Sequence, residues 1–413
     1  MIDSYNNKNK RNAGRTIGRR AGAAAAVLAS ILLATAAASL GSAAHADDRA
    51  THSSLVSENA SFFTPGALDG RVEAIAIDGD TVFVGGTFTR IQEALDGDIV
   101  EQPYLYAYSK SSGAIIRDFD PVLDGAVRAL QTTGEGTGIF AGGAFTTVNG
   151  ENNRKGLIKL DDFGDRVQGF SARPDRRVYT MDRSGNTLYI GGNFTRIGPQ
   201  DVEYLAAVDT VTGELLPDID LNFDGTFSST ITTGFPSVDV IEVTSDDRLM
   251  VVVGNFRSID GISRSRLALL ELGAQATVST WNTDVFDFNC PAQVFPQYIN
   301  GIDIAPDDSY FVTGSTGFRR IGVPACDSIL RFDLDDLSDT NALPVWATYT
   351  GGDAVYEVAA TEHAVYTGGH FRWLNNGFGG DSAGPGSVVR RGLAALDPRN
   401  GLPVLDWRSD RSP

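Results

Sequence analysis

The residue types in this chain that could do acid–base or metal chemistry are a few histidines, two cysteines and many aspartates. After residue 46 the histidines are His52, His363 and His370, and only His370 lies in a repeated motif. A Ser-His-Asp triad would have to use it, but no Gly-x-Ser-x-Gly elbow accompanies it. Zinc is disfavoured because the histidines stand apart in the sequence. The histidines therefore predict no catalytic centre.

Most of the aspartates occur where apolar runs turn, as in Asp78-Gly79-Asp80, so they are interpreted as turn formers. None completes the spacing of an EF-hand loop. A glycosidase needs two carboxylates at a defined separation, and that separation depends on the fold. An extracellular carbohydrate-active or other hydrolytic enzyme therefore stays open as the alternative function.

A glycine-rich motif that must position any such residues recurs six times. Its first copy is Val82-Phe83-Val84-Gly85-Gly86-Thr87-Phe88-Thr89-Arg90. The phenylalanines of the six copies are Phe88, Phe145, Phe194, Phe256, Phe318 and Phe371, at spacings of 57, 49, 62, 62 and 53 residues. A β-rich repeat with a period in this range is typical of a propeller or a related array.

Each repeat contains four apolar runs, which in the first repeat are 72–77, 81–84, 104–108 and 115–119. Asp78-Gly79-Asp80 is a hairpin signal between the first two runs. We therefore predict an all-β fold, a six-bladed β-propeller of four-stranded antiparallel blades, with seven blades as the less favoured alternative. The glycine pair permits a bend or close backbone approach, and its phenylalanine is predicted to be a core residue. No helix follows the pair, as a phosphate loop would require.

Closure of the ring has two alternatives. Residues 62–70 resemble residues 119–125, so an N-terminal strand could complete the sixth blade. Otherwise the residues around Trp407 form the fourth strand of that blade, and the N-terminal piece packs beside it.

The repeat, with Gly-Gly-x-Phe-Thr, then Asn149-Gly150 or Asp260-Gly261, then Leu-Ala-Ala-Leu-Asp, resembles the delta-60 repeat of secreted bacterial β-propellers. The resemblance covers residues 62–413 and is weaker in repeat 4, interpreted as lacking the second glycine, and in repeat 5. It implies a propeller fold and a secreted or cell-surface location. It brings no catalytic residues.

The first 46 residues have the pattern of a signal peptide: a basic start, an apolar stretch at 21–43 and Ala44-His45-Ala46 as a cleavage site. The alternative is an uncleaved membrane anchor, and the export route, Sec or twin-arginine, stays open. Residues 47–61 are predicted to be a flexible lead-in and residues 62–413 one propeller domain. No apolar run after residue 46 is long enough to span a membrane.

Net charge restricts the partners. The first 46 residues carry six basic side chains and one acid, so a total charge of −18 leaves −23 on the remaining chain. This excludes a nucleic-acid partner, whose binding depends on Lys and Arg. We predict a monomeric extracellular binding or surface-interaction module whose ligand is a glycan or a protein.

Cys290 and Cys326 are the two cysteines, and an exported chain favours a disulfide between them. Cys290 lies in the crossover before repeat 5, and Cys326 lies between the second and third strands of that repeat. In a four-stranded meander these two connections emerge on the same face, so we expect the cysteines to meet.

The same face is predicted to be the working face, because it carries the longest loops, at 90–103, 222–237, 284–298 and 372–391. Loops on a rigid scaffold are where binding usually occurs. The predicted contact residues are His370, Arg372, Trp373, Asn375 and Asn376. The alternative is that these loops are tolerated insertions.

One position in the first strand of each repeat, found by aligning the repeats on the glycine of the second strand, changes character along the chain. Its residues are Ala74, Ala129, Thr180, Glu242, Asp303 and Glu357. If this innermost strand turns them to the axis, three adjacent carboxylates would repel each other unless a cation binds. We hypothesise Ca²⁺ or a similar hard cation near Glu242, Asp303 and Glu357. The alternative is a hydrated acidic channel or side chains directed between blades.

Overall fold

The structure is a computed structural model, and it describes residues 54–94, 97–134, 136–152, 155–228, 233–290, 298–317 and 325–409. The predicted signal peptide lies outside these residues. Within them the regular elements are all β-strands. No described helix is long and apolar enough to cross a membrane.

The first three repeats contain short runs rich in Val, Ile, Leu and Tyr bounded by turns, which favours strands. Their strands are β1 (Gly66–Ala67), β2 (Val72–Asp78), β3 (Thr81–Gly86), β4 (Arg90–Gln92), β5 (Ile99–Glu101), β6 (Leu105–Ser109), β7 (Val127–Thr132), β8 (Ile139–Gly143), β9 (Thr147–Val148), β10 (Glu151–Asn152), β11 (Leu157–Leu160), β12 (Val178–Ser184), β13 (Thr187–Gly192), β14 (Arg196–Ile197), β15 (Gln200–Asp201), β16 (Leu205–Asp209) and β17 (Leu215–Leu216).

The last three repeats continue the same pattern. Their strands are β18 (Phe223–Asp224), β19 (Ser237–Val243), β20 (Leu249–Asn255), β21 (Ser258–Ile259), β22 (Ile262–Ser263), β23 (Leu267–Glu271), β24 (Thr277–Val278), β25 (Ile299–Ile304), β26 (Tyr310–Ser315), β27 (Ser328–Asp333), β28 (Trp346–Tyr349), β29 (Val355–Ala360), β30 (Val365–Gly369), β31 (Trp373–Leu374), β32 (Val388–Val389) and β33 (Leu393–Leu396).

Each repeat folds into one antiparallel meander, and we call the meanders sheets 1 to 6. They are β2-β3-β6, β7-β8-β11, β12-β13-β16-β17, β19-β20-β23-β24, β25-β26-β27-β28 and β29-β30-β33. The predicted fourth strand is present in sheets 3, 4 and 5. In sheets 1, 2 and 6 it shrinks to a single bridge, formed by Tyr108 with Ile115, Leu160 with Arg166 and Leu396 with Pro403.

The first strands of successive sheets contact one another in chain order, from β2 through β7, β12, β19 and β25 to β29. Five apolar cores fill the spaces between sheets 1 and 2, 2 and 3, 3 and 4, 4 and 5, and 5 and 6. The motif phenylalanines Phe88, Phe145, Phe194, Phe256 and Phe371 are buried, as predicted, whereas Phe318 lies outside the described residues. This radial stacking of antiparallel meanders is a β-propeller arrangement.

Both glycines of the pair are required, because other parts of the chain approach them too closely to leave room for a side chain. A Cβ at the second glycine, Gly192, would lie 2.2 Å from the carbonyl oxygen of Arg177, in the crossover before β12. A Cβ at the first, Gly191, would lie 2.7 Å from Cγ1 of Val238 in the next sheet. The pair therefore lets the crossover and the neighbouring sheet approach the second strand together.

A small hairpin joins the second and third strands of five repeats: β4-β5, β9-β10, β14-β15, β21-β22 and β31-β32. The crossover from the preceding sheet runs beside it, as in the pairing of β1 with β4 and of β18 with β21. The crossover aspartate also bonds to this connection. Asp175 accepts hydrogen bonds from the amide (2.8 Å) and hydroxyl (3.0 Å) of Thr195.

The predicted disulfide is confirmed where these two connections meet. Cys290 and Cys326 are bonded, with their Cα atoms 5.7 Å apart and both side chains buried. The shared face that the topology predicts is therefore present in repeat 5.

The predicted alignment of first-strand residues, which made Glu242 and Asp303 equivalent to Ala74, is wrong in repeats 4 and 5. Gly254 pairs with Val238 as Gly86 pairs with Val72, so repeat 4 lacks the first glycine, and Val253 replaces it. In repeat 5 Gly314 pairs with Gly301. The turn between the first and second strands is longer in repeats 4 and 5 than in repeat 1. Counting back from the glycine therefore gives a first-strand residue two positions away from the true equivalent. The true equivalents of Ala74 are Ala129, Thr180, Val240, Gly301 and Glu357.

The residues around Trp407 supply the fourth segment of sheet 6. Leu396 bridges Pro403, and the amide of Val404 donates to the carbonyl of Ala395 at 2.9 Å. The N-terminal residues lie outside this segment, where the indole N–H of Trp407 donates to the carbonyl oxygen of Val56 at 2.8 Å. The residues around Trp407 thus occupy the place of a fourth segment in sheet 6, and the closure of the ring stays a prediction.

Candidate binding site in the central cavity

The first strand of every sheet carries a β-bulge at the same place. Pairing with the second strand skips one residue in each case, for example between Val72 and Ala74. The six residues skipped are Glu73, Arg128, Tyr179, Asp239, Asn300 and Tyr356. Because a bulge re-aims a side chain and is enriched near functional sites, these residues, which we call the bulge ring, are the strongest candidates for a site.

All six members of the bulge ring line one cavity of about 1260 Å³. Other polar residues on its wall include Arg71, Arg177, Asn193, Asn255 and Glu357. Apolar residues include Val72, Ile75 and Phe235. The volume is above the range usual for a small-molecule pocket, so the cavity has room for a ligand together with water.

Neighbouring members of the ring interact. Arg128 Nη1 lies 3.4 Å from Glu73 Oε2, and Arg71 Nη2 lies 3.5 Å from Glu73 Oε1. The guanidinium of Arg128 also lies 5.9 Å from the ring centre of Tyr179. Asn300 donates through Nδ2 to the carbonyl oxygen of Val355 at 2.6 Å. One side of the cavity is therefore an arginine–glutamate cluster, and the other carries tyrosine and amide groups.

Two carboxyl groups of this wall have raised pKa values. Burial raises the pKa of Asp239 to about 6 against the opposing effects of a Ser237 hydrogen bond and the charge of Arg128. Burial also raises the pKa of Glu357 to about 7, opposed by the amide of Val358 and assisted by Asp303. Glu357 is exposed and Asp239 half-buried, and both line the cavity, so water in the cavity weakens the effect of burial on both pKa values.

The contribution of Asp239 to the free energy of unfolding is therefore expected to fall as the pH rises from about 4 to about 6. Over this range folded Asp239 holds a proton that its unfolded form, with its ordinary pKa of 3.8, has released. Asp239→Asn should remove this contribution and change the slope of the stability–pH profile between pH 4 and 6. Urea unfolding at pH 4, 5, 6 and 7 measures it, with the exposed Asp201→Asn as control. An Asp239→Asn profile parallel to that of the wild type would contradict the assignment.

The three carboxylates of the calcium hypothesis do not occupy one equivalent position. Glu242 and Asp303 lie two residues beyond the position of Glu357. Asp303 accepts a hydrogen bond from the amide of Ala360 in the next sheet, as Asp182 does from Val243 at 2.7 Å. Among the described residues, no three His, Cys, Asp or Glu side chains form a group that could hold a metal ion. The hypothesis receives no support here and stays a prediction.

The predicted loop residues lie elsewhere, and none of the five is among the residues that line this cavity. Arg372 binds Asp353 through Nε at 2.9 Å and Asp381 through Nη2 at 3.1 Å. Asn376 is fully buried and donates to the carbonyl oxygen of Ser382 at 3.1 Å.

The other three predicted residues have different surroundings. His370 is exposed, and Trp373 pairs with Val389 in the β31-β32 hairpin. Asn375 donates to Gly386 at 2.9 Å. Arg372, Asn375 and Asn376 thus hold the loop together.

The sequence interpretation missed the bulge ring, although its signal is present. The first strands contain Val-Glu-Ala-Ile, Val-Arg-Ala-Leu, Val-Tyr-Thr-Met, Val-Asp-Val-Ile, Ile-Asn-Gly-Ile and Val-Tyr-Glu-Val. The second residue is polar or aromatic in every copy, and it follows a Val or Ile each time. Strand alternation alone assigns this side chain to one face of its strand, like every second residue. The bulge is what directs all six copies into one cavity.

Fold and site together define this chain as a β-propeller with a polar central cavity. No protein-family model matches the chain, and no curated protein matches it. Among solved structures it is similar to U3-55K, with 12% identity, a TM-score of 0.46 and coverage of 83% of this chain and 84% of that one. It is also similar to the designed protein Ika8, with 13% identity, a TM-score of 0.45 and coverage of 82% and 88%.

A third similar structure is the Pan2 WD40 domain of Neurospora crassa, with 11% identity, a TM-score of 0.39 and coverage of 80% of this chain and 77% of that one. At these TM-scores the similarities carry no argument, and the fold assignment depends on the sheets and cores described above.

Proposed function

We propose that this protein is an exported six-bladed β-propeller of the delta-60 repeat type that binds a saccharide in its central cavity. The observation that carries the proposal is the bulge ring, in which each sheet contributes one polar or aromatic side chain to a shared space. Tyrosine rings offer faces for stacking on sugar rings, and arginine, asparagine and carboxylate groups offer the hydrogen bonds that hydroxyl groups require.

The electrostatics favour a neutral or anionic saccharide over a cationic ligand. Arg71, Arg128 and Arg177 lie on the cavity wall, and the raised pKa of Asp239 reduces the negative charge of the same wall at mildly acidic pH. Export is supported by the sequence of residues 1–46 and by the disulfide between Cys290 and Cys326.

A glycan array followed by titration calorimetry tests the proposal. Tyr356 is the residue to replace, since it lines the cavity and is 58% exposed, so its removal should leave the fold intact. Tyr356→Ala is expected to weaken binding about fivefold or more, because the lost stacking contributes about 1 kcal/mol or more. Trp373→Ala, on the loop predicted from the sequence, is the matched control.

The results of this experiment distinguish a binding site in the cavity from one on loop 372–391. Loss of affinity in Tyr356→Ala with none in Trp373→Ala supports the cavity. The reverse pattern would transfer the site to loop 372–391. Absence of binding to any glycan would overturn the saccharide proposal and leave a protein ligand as the alternative.

A second candidate function is glycoside hydrolysis, because Asp239 and Glu357 line the same cavity with raised pKa values. A carboxyl that keeps its proton near neutral pH can act as a general acid. Turnover of a chromogenic glycoside that is lost in Glu357→Gln would favour this function. Saccharide binding without turnover favours the binding module.

A further inference from the structure

The joint between sheet 6 and sheet 1 differs from the other five. Each of those joints is filled by a single apolar core that includes residues of both sheets. Between sheets 6 and 1 there are two separate clusters. One contains Val82, Val84, Phe88, Ile91 and Tyr106 of sheet 1, and the other contains Ala364, Ala395 and Trp407 of sheet 6, covered by Val56.

The first strand of sheet 1 shows the consequence. Val72 is 43% exposed, whereas its equivalents Val127, Val178, Val238, Ile299 and Val355 are at most 2% exposed. Ile75 is 61% exposed, whereas the equivalent residues of the other sheets are buried. These side chains are apolar and face the direction in which every other sheet meets its predecessor.

Sheet 6 offers the matching surface. In sheets 1, 2, 3 and 5, a Cβ at the first glycine of the pair would lie 2.6–2.8 Å from the valine of the next sheet. At Gly368 of sheet 6 the sole neighbour within 4 Å is Leu393, at 3.6 Å. Glu357 does not obstruct this surface, because its carboxylate lies against Gly301 of sheet 5. In sheet 6, Gly368 therefore has no valine of a following sheet packed against it. In sheet 1, Val72 has no glycine of a preceding sheet packed against it.

The outer rim already connects the two sheets. Val56 donates its amide to Tyr366 Oη at 2.8 Å and accepts from Trp407, both in sheet 6. A few residues later, Phe63 lies against Gly113 in the turn after β6 of sheet 1. This segment keeps sheet 1 near sheet 6 of the same molecule, and such tethering gives a high effective concentration. The same molecule is therefore favoured over a second copy as the partner.

We propose that the joint between sheets 6 and 1 is a closing joint, in which Val72 moves onto Gly368 and the ring passes from an open to a closed state. The rim segment 56–63 acts as the hinge, and the opening faces the cavity, since Val72, Ile75 and Tyr356 all line it. Closure buries Val72 and Ile75 and narrows the lateral access to the cavity. The burial of apolar surface is the driving force.

Cysteine cross-linking tests this directly and requires no ligand, so its outcome is independent of the saccharide proposal. In the closed joint of sheets 5 and 6, a Cβ at Gly314 would lie 3.6 Å from Cβ of Val355, within the separation that a disulfide needs. The pair G314C and V355C is the matched control, and V72C with G368C is the test pair. Peptide mapping distinguishes both from the native Cys290–Cys326 bond.

The test pair is expected to form an intramolecular disulfide under mild oxidation, in monomeric protein, to more than about half of the yield of the control pair. A control pair that cross-links while the test pair does not would overturn the proposal. A test pair that cross-links only between molecules, seen as dimers or larger species by size-exclusion chromatography, would also overturn it in favour of a joint between copies.

A second pair of variants remains informative if the cysteine variants fold poorly. Gly314→Val must lower the melting temperature, because its side chain would collide with Val355. If the sixth joint closes, Gly368→Val collides with Val72 in the closed state and lowers the melting temperature by about 2 °C or more. If the joint is permanently open, Gly368→Val meets no obstacle and leaves the melting temperature unchanged or raises it, which would contradict the proposal.

Discussion

Replacing Gly192 by alanine is expected to destabilise the protein by more than about 4 kcal/mol, enough to prevent folding in many domains of ordinary stability. The added Cβ would lie 2.2 Å from the carbonyl oxygen of Arg177, and backbone cannot yield as a flexible side chain can. The amide of Gly192 also donates to the carbonyl of Tyr204 at 2.9 Å, so the strand cannot shift without losing that bond.

Gly66→Ala is the matched control, because a Cβ at Gly66 has nothing within 4 Å. Urea unfolding followed by circular dichroism, together with the yield of soluble protein, measures both variants. We expect Gly66→Ala to remain within about 0.5 kcal/mol of the wild type. Comparable stability of the two variants would mean that the close approach of the crossover to β13 is absent.

Replacing Arg266 by leucine is expected to cost about 3 kcal/mol or more. Arg266 is fully buried, and burial lowers its pKa to about 10. Its guanidinium donates to the carbonyl oxygen of Phe286 and to Asn289, both at 2.6 Å, and lies 3.3 Å from the ring centre of Phe227. Leucine leaves the two acceptors without these donors, which carries a desolvation cost for each.

Arg257→Leu provides the comparison, since the guanidinium of Arg257 lies 3.8 Å from the same Phe227 ring but its residue is exposed. Its Nε donates to the carbonyl oxygen of Thr226 at 2.9 Å, a hydrogen bond that water can replace in the variant. An exposed cation–π contact contributes about 0.5–1 kcal/mol. Urea unfolding of the two variants should therefore separate them by about 2 kcal/mol or more. Equal losses would show that the stacking on Phe227, rather than the buried hydrogen bonds, determines the contribution of Arg266.

Several features of the fold follow from local sequence because they depend on short-range patterns. The motif Gly-Gly-x-Phe predicts the second strand, its bend and the buried phenylalanine, since each needs only the residue itself and its strand neighbours. The meeting of Cys290 and Cys326 also follows, because strand direction fixes the face on which each connection emerges. The meander was therefore predictable, although the fourth strand is shorter than expected in sheets 1, 2 and 6.

Tertiary structure alone decided the site. The alignment of Glu242 and Asp303 with Glu357 failed because sequence counting cannot distinguish a longer turn from a shifted register, and a two-residue difference preserves the alternation of faces. The bulge that turns Glu73 and its five equivalents into one cavity is a feature of pairing between strands. The sequence by itself determined that the chain repeats as β-meanders with a defined core. Which side chains converge depended on the packing of six sheets against one another, because their separation in space is set by contacts between residues far apart in the sequence, such as Gly191 and Val238.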